Sequence, residues 1–149
     1  MISVFGISSG QVMMAVLVLR MIYSGMTTIT VSACSCIPER FCEKTSSEDI
    51  LFRGIPTAME LIGEPEFPDI KYTVQINNVF KGDVVGPTIE VFTAADSALC
   101  GITMELNTRY LIGMNNNNGA ALCGPTKPWN GLSKAEKILV KNGGECPSE

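Results

Sequence analysis

Hydrophobic and polar residues alternate along much of the chain after residue 49, a pattern typical of β-strands with one buried face. Residues 71–80 (KYTVQINNVF) show it best, because Tyr72, Val74 and Ile76 fall on one face. Three more apolar or β-branched segments predict short strands: residues 50–55 (ILFRGI), 88–93 (TIEVFT) and 109–114 (RYLIGM). The chain is therefore predicted to be mainly β.

Turn-forming residues separate these predicted strands. Gly82 and the pair Gly86-Pro87 lie between the second and third strands, and residues 115–119 (NNNNG) end in Asn-Gly, a good hairpin turn. Residues 56–68 contain three prolines, Pro56 among them. We predict that this segment is an exposed loop between the first two strands.

One helix is predicted near the end of the chain. Ser133 and Glu136 have the spacing of a capping box, and Asn142-Gly143 would end the helix. Its apolar face is predicted from three residues, namely Ala135, Ile138 and Leu139. Several short strands with one or two helices indicate a small, closed or partly open β-barrel. A length of 149 residues fits one domain.

The first 33 residues differ from the rest, since Arg20 is their one charged residue. Residues 12–19 (VMMAVLVL) form an apolar core that is too short to span a bilayer but has the length found in signal peptides. Val31 and Ala33 supply small residues before a cleavage site. We predict a signal peptide over residues 1–33, a mature domain over 34–149 and secretion. A membrane anchor or a buried segment stays open, because no basic residue precedes the apolar core.

All six cysteines lie in residues 34–149. An even count in a small secreted domain predicts three disulfides, with 15 possible pairings. A metal site would need histidine or paired CxxC motifs, and the chain has neither.

Charge and motifs exclude other classes of protein. The net charge is −4, and the charges are scattered without a basic stripe, which argues against nucleic acid or anionic membranes as partners. The absence of histidine removes the commonest general base. No GxSxG motif, phosphate loop or Cys–His pair is present, so the chain is predicted not to be an enzyme.

Several motifs together resemble the inhibitory N-terminal domain of the tissue inhibitors of metalloproteinases. They are CSCIP followed by FC, KYTVQINNVFKG, DSALCG, RYLIGM and CGPTKPWNGLSKAEK, and they run from Cys34 to about Cys146. This resemblance implies a netrin-like OB-fold, a five-stranded barrel. It also implies the disulfides Cys34–Cys100, Cys36–Cys123 and Cys42–Cys146.

The resemblance further implies a mode of action. The α-amino nitrogen and carbonyl oxygen of Cys34 would chelate the catalytic zinc of a target protease and displace its activated water. The implied protease-binding residues are Cys34, Ser35, Cys36, Ile37 and Pro38, with Ser97, Ala98 and Leu99 in a second loop. The chain would need no cofactor or metal of its own. Its partners would be zinc metalloendopeptidases of the matrix metalloproteinase type, bound outside the cell by a monomer that has no membrane contact after signal cleavage.

The sequence departs from the family in two places. Only residues 37–41 separate Cys36 from Cys42, which shortens the segment behind the reactive terminus, and residues 56–68 also differ. No counterpart of the family's C-terminal domain lies within the 149 residues. The alternative interpretation is a non-inhibitory netrin-like binding module, such as an immunomodulatory or matrix-associated secreted protein.

Overall fold

A computed structural model describes residues 34–147, all within one unit, Ser32–Glu149. The predicted signal peptide, residues 1–33, lies outside the described residues. The strands are β1 (Ile50–Glu64), β2 (Phe67–Lys81), β3 (Thr88–Ala94), β4 (Tyr110–Met114) and β5 (Lys127–Pro128). The helices are α1 (Phe41–Ser46) and α2 (Lys134–Lys141), with 3₁₀ turns at Ser97–Leu99 and Trp129–Gly131. Within residues 34–147, no helix is long and apolar enough to cross a bilayer.

The strands form one sheet in the order β3-β2-β1-β4-β5, and the neighbouring strands are antiparallel. The sheet also closes on itself. The Phe92 N–H donates to the Asn118 carbonyl at 2.8 Å, and the Ala120 N–H donates to the Phe92 carbonyl at 2.9 Å. Because residues 115–119 turn directly back from β4, this parallel bridge joins the β4 end of the sheet to β3. The predicted five-stranded, mainly β barrel is confirmed.

The barrel interior is filled by the inward faces of β1 to β4. Tyr72, Val74 and Val91 are fully buried, and Ile76 packs against them, so the predicted face of β2 is confirmed. The other buried members of this core are Ile50, Phe52, Ile70, Ile102, Met104, Tyr110, Ile112, Met114 and Ala120.

A second core lies under α2, where Trp129 packs with Leu51, Leu111, Leu132 and Val140. Trp129 is 8 % exposed, and the Phe80 ring stacks on it with the centroids 5.8 Å apart. This aromatic pair holds α2 against the outer face of β1 and β4.

The predicted apolar face of α2 is wrong. Its fully buried residue is Val140, whereas Ile138 is 59 % exposed. The residues one turn before Val140 are Glu136 and Lys137, which are half-buried, and the Lys137 Nζ lies 5.9 Å from the centroid of the Trp129 ring. The helix therefore turns the face of residues 136, 137 and 140 inward, whereas Ala135 and Ile138 are exposed and Leu139 is half-buried.

The predicted loop over residues 56–68 is also wrong, because β1 and β2 continue through it as one long hairpin that turns at Pro65-Glu66. Pairing of β1 with β4 stops at Gly54, so the missing N–H of Pro56 costs no ladder bond. The Pro56 carbonyl instead accepts from the Asn107 N–H at 2.8 Å. A register shift between Pro56 and Ala58 accommodates the ring.

Candidate functional site

Three disulfides tie the start of the described chain to its later loops. Cys34 is bonded to Cys100, Cys36 to Cys123 and Cys42 to Cys146, with Cα–Cα distances of 5.2, 5.3 and 4.9 Å. These are the three pairs that the family resemblance implies. The first two hold residues 34–38 at two points against different loops.

Residues 34–38 lie on the surface outside any helix or strand. Cys34 is partly buried, and Ser35, Cys36 and Pro38 are exposed. Ile37 is 77 % exposed. The segment therefore presents uncharged side chains to solvent while its backbone is held by two bridges.

The 3₁₀ turn Ser97–Leu99 lies beside this segment, because Cys100 ends the turn and carries the bridge to Cys34. The Asp96 carboxylate caps the turn by accepting from the Ala98 N–H at 2.8 Å. Cys100 adopts a left-handed conformation with φ of 61°, which reverses the chain. Ser97, Ala98 and Leu99 are all exposed.

Side-chain hydroxyls anchor the chain after Cys100 to the barrel. The Ile102 N–H donates to Thr93 Oγ1 at 2.9 Å, and the Met104 N–H donates to the Tyr72 hydroxyl at 3.1 Å. Thr93 and Tyr72 are themselves buried in the sheet. The position of the turn is thus fixed by the barrel as well as by the disulfide.

Residues 34–38 and 97–99 together form what we call the exposed ridge. It contains no charged side chain and exposes Ile37 and Leu99, the latter by 54 %. Every predicted protease-binding residue lies in this ridge, so the structure brings the two predicted segments together. Cys42 and Cys146 instead join α1 to the chain after α2.

A cleft beside the ridge was not predicted from the sequence. It has a volume of about 530 Å³ and is lined by Leu99, Ser97 and Asp96 on one side and by the hairpin residues Phe67 and Pro68 on the other. The sequence predicts a loop over residues 56–68, and that prediction gives no indication of this cleft. The sequence feature that could have indicated the cleft is the apolar Phe67 directly after Pro65-Glu66. In the structure its side chain is 69 % exposed.

The titratable group with a raised pKa near this region is Glu48. Partial burial raises the pKa of its carboxyl, and the neighbouring Asp49 charge adds to the effect. Its side chain lies over Gly113 and beside Gly124, which follows the bridged Cys123.

The sulfur atoms of Cys34, Cys100 and Cys123 lie within 4.8 Å of one another, but each belongs to a disulfide and so offers no thiolate to a metal.

Comparisons with known proteins place the chain in a family. The family model described as "Tissue inhibitor of metalloproteinase" matches residues 32–146. The chain is 26 % identical over 129 residues to Metalloproteinase inhibitor 3 of Scyliorhinus torazame, a match that covers 83 % of this chain and 60 % of that protein. It is 28 % identical over 117 residues to Metalloproteinase inhibitor 4 of Rattus norvegicus, covering 70 % and 52 %. The chain thus spans between half and three fifths of the length of these relatives.

A solved structure, that of Ancylostoma ceylanicum Excretory-Secretory Protein 2, aligns with a TM-score of 0.45 and 16 % identity over 72 % of this chain and 98 % of that one. The family match covers nearly all of the described residues and agrees with the three bridges and the barrel. It also confirms the prediction that the chain is not an enzyme, since the family is one of inhibitors. This chain belongs to the tissue inhibitor of metalloproteinase family.

Proposed function

We propose that the protein is a secreted inhibitor of zinc metalloendopeptidases and that its exposed ridge occupies the substrate cleft of the protease. The observation that carries the proposal is the Cys34–Cys100 bridge, which sets two exposed, uncharged segments side by side. A surface segment outside any helix or strand that exposes an apolar side chain has the character of a bound peptide. Family membership and the names of the relatives as metalloproteinase inhibitors support this role.

Cys34 would be the residue that reaches the zinc of the target. If the signal peptide is cut after Ala33, Cys34 carries the α-amino group, and its amino nitrogen and carbonyl oxygen can form a five-membered chelate. An α-amino group has a pKa of about 7.7–8.0, so the unprotonated form needed for ligation is accessible at neutral pH. Displacing the zinc-bound water removes the nucleophile for peptide hydrolysis. The zinc belongs to the protease, and the chain contributes ligands only.

The remaining ridge residues would fill the cleft on either side of the zinc. Ser35 would enter the primed-side specificity pocket, where its small side chain fits many enzymes. Cys36, Ile37 and Pro38 would continue along the primed side, and Ser97, Ala98 and Leu99 would occupy the unprimed side. The exposure of all seven residues supports this assignment.

Preorganisation would supply much of the affinity. Two disulfides and the hydrogen bonds of the chain after Cys100 already fix both segments in the unbound protein. Little conformational entropy then remains to be lost on binding, so a small contact area can give tight inhibition.

The test is a mature protein that carries a single extra alanine before Cys34. We expect the native protein to inhibit a matrix metalloproteinase stoichiometrically and the extended protein to lose at least about 100-fold in affinity, because the nitrogen becomes an amide that cannot ligate zinc. A matched control carries the extra alanine after Glu149 and should inhibit normally. Terminal sequencing and disulfide mapping verify that each product begins as designed and is fully oxidised.

If the native protein begins at Cys34, holds all three disulfides and yet inhibits no enzyme of a broad metalloproteinase panel, the inhibitor proposal is wrong. The netrin-like binding module would then be the remaining interpretation. Equal inhibition by the native and extended proteins would retain an inhibitor but reject the role of Cys34 as a zinc ligand.

A further inference from the structure

The two disulfides that hold the exposed ridge lie close to each other. The Sγ atoms of Cys34, Cys100 and Cys123 lie within 4.8 Å of one another, although Cys34–Cys100 and Cys36–Cys123 are separate bridges. Cys42–Cys146, by contrast, joins α1 to the chain after α2 and is not part of this group. A thiolate generated at Cys123 would therefore face the other bridge at short range.

The backbone independently brings Cys100 and Cys123 together. The Leu122 N–H donates to the Cys100 carbonyl at 2.8 Å, so the two chain segments run side by side. Disulfide-bonded cysteines have Cα atoms roughly 4.4–6.8 Å apart, and Cys123 directly follows the residue that is hydrogen-bonded to Cys100. A Cys100–Cys123 bridge would thus need little backbone movement.

We propose that this sulfur cluster is a thiol-triggered isomerisation site, which releases residues 34–38 from both loops without unfolding the barrel. The entry point is Cys36, which is exposed, whereas its partner Cys123 is partly buried. The reagent that starts the isomerisation would be a small thiol such as glutathione. The expected loss of inhibition rests on the proposed function, but the exchange chemistry does not.

The exchange proceeds in three displacements that balance. An external thiolate attacks Sγ of Cys36, the Cys36–Cys123 bond breaks, and Cys123 leaves as a thiolate while Cys36 holds a mixed disulfide. The Cys123 thiolate attacks Sγ of Cys100, the Cys34–Cys100 bond breaks, and Cys34 leaves as a thiolate. The Cys34 thiolate then attacks Sγ of Cys36 and expels the external thiolate.

The products are a Cys100–Cys123 bridge and a Cys34–Cys36 bridge. Two disulfides are present before and after, so there is no net oxidation and the external thiol is regenerated. The new Cys100–Cys123 bridge keeps the two loops together, and Cys42–Cys146 keeps α1 in place. Residues 34–38 lose both of their tethers to the barrel, and with them the preorganisation of the exposed ridge.

Peptide mapping distinguishes the two bonding patterns. Trypsin cuts after Arg40, Lys81, Arg109 and Lys134, and the Lys127-Pro128 bond resists it. In the native pattern, the peptide that ends at Arg40 is linked both to peptide 82–109 and to peptide 110–134. The isomer gives the first peptide alone, closed on itself, and a linked pair of the other two.

The experiment incubates the oxidised protein with about 1 mM glutathione at pH 8 for up to several hours, the range in which disulfides reshuffle. Samples are blocked with N-ethylmaleimide, digested and analysed by mass spectrometry. We expect the 82–109 to 110–134 pair to accumulate while the peptide pair containing Cys42 and Cys146 persists. Inhibitory capacity, measured on the same samples, should fall in proportion.

The double variant Cys36→Ser, Cys123→Ser is the control, because it lacks the attacking thiolate and should show only reduction of Cys34–Cys100. The inference is overturned if the wild type gives blocked thiols without the new pair, if Cys42–Cys146 opens first, or if about 10 mM glutathione changes nothing. A protein that isomerises but never inhibited would refute the proposed function alone.

Discussion

Gly101 is the residue that allows the ridge turn to fold back onto the barrel. A Cβ atom at this position would clash with the Ala94 carbonyl oxygen and lie 2.7 Å from its carbon. Both are backbone atoms at the end of β3, so they cannot move aside as a flexible side chain would. In this position the Gly101 N–H also donates a hydrogen bond to the Asp96 carbonyl at 3.2 Å.

Replacing Gly101 by alanine should therefore destabilise the fold by about 1–3 kcal/mol and displace residues 97–99. Urea unfolding measures the first effect, and titration against the target protease measures the second. The matched control is Gly131→Ala, since a Cβ there meets no atom within 4 Å, and it should change stability by less than about 0.5 kcal/mol. Equal stability of the two variants would contradict the close packing at Gly101.

At Glu48, ionisation of a partly buried carboxyl lowers the stability of the folded protein. Burial raises the pKa of its carboxyl, so the folded state resists ionisation more than the unfolded state does. Its unfavourable contribution is absent below the unfolded pKa and is fully present above the raised folded pKa.

The substitution Glu48→Gln should raise stability at pH 7 and leave it unchanged at about pH 3, because glutamine keeps the shape without the charge. Thermal unfolding at the two pH values measures the difference in Tm. A variant that is less stable than the wild type at pH 7 would show that the carboxylate makes a favourable contact in the native protein.

At the scale of elements, local patterns predicted the strands well where one face is buried. The alternation in β2 and the Asn-Gly turn after β4 are signals carried by neighbouring residues. The extension of β1 past Pro56 depends on the pairing of β1 with β4 stopping at Gly54, which is a tertiary fact absent from the local pattern. α1 has only six residues, which is too short for a helical periodicity to be recognised in the sequence. It is held instead by Arg40–Glu43 contacts and by its disulfide.

The exposed ridge was predictable for a different reason. Residue types and cysteine spacing alone allowed 15 pairings, and the family resemblance selected the one that the structure contains. The inward face of α2 could not be predicted in this way, because Glu136 and Lys137 cover apolar surface with side chains that a hydrophobicity pattern counts as polar.

The start of α2 provides a prediction at this scale. Burial opposes ionisation of Glu136, but hydrogen bonds from Lys127 and Ser133 outweigh it and lower the pKa of this carboxyl. The Lys127 Nζ lies 2.7 Å from Glu136 Oε1, and the Ser133 N–H donates to Oε2 at 2.7 Å. Since the folded pKa is depressed, this stabilisation is present above the unfolded pKa and is lost as the pH falls through the folded value.

Glu136→Gln should cost about 0.5–1 kcal/mol at pH 7, because glutamine can still accept from Ser133 but lacks the charge for Lys127. The difference from the wild type should vanish near pH 2. Urea unfolding at both pH values tests this, and a difference that is independent of pH would show that packing rather than charge is responsible.

At the scale of the whole molecule, the Cys42–Cys146 bridge closes the largest loop, with a sequence separation of 104 residues. It is supported by the Thr45 hydroxyl, which donates to the Gly144 carbonyl, and by Lys81, which pairs with Glu145 at 2.9 Å. None of these contacts involves the exposed ridge. Stability and inhibition should therefore be separable.

The double variant Cys42→Ser, Cys146→Ser should lose roughly 2–4 kcal/mol of stability, because its unfolded chain regains loop entropy. At temperatures where the variant stays folded, we expect its inhibition constant to match that of the native protein within about twofold. A large loss of inhibition by a fully folded variant would show that this bridge also positions the ridge.

The three bridges have one more property in common. Each joins a cysteine at or before position 42 to one at or after position 100. A single peptide-bond cleavage anywhere between those positions, including the exposed hairpin turn at Pro65-Glu66, therefore yields two polypeptides that remain one covalent molecule. For a protein proposed to meet proteases, nicking adds one water to the mass and releases no fragment until a reductant is present.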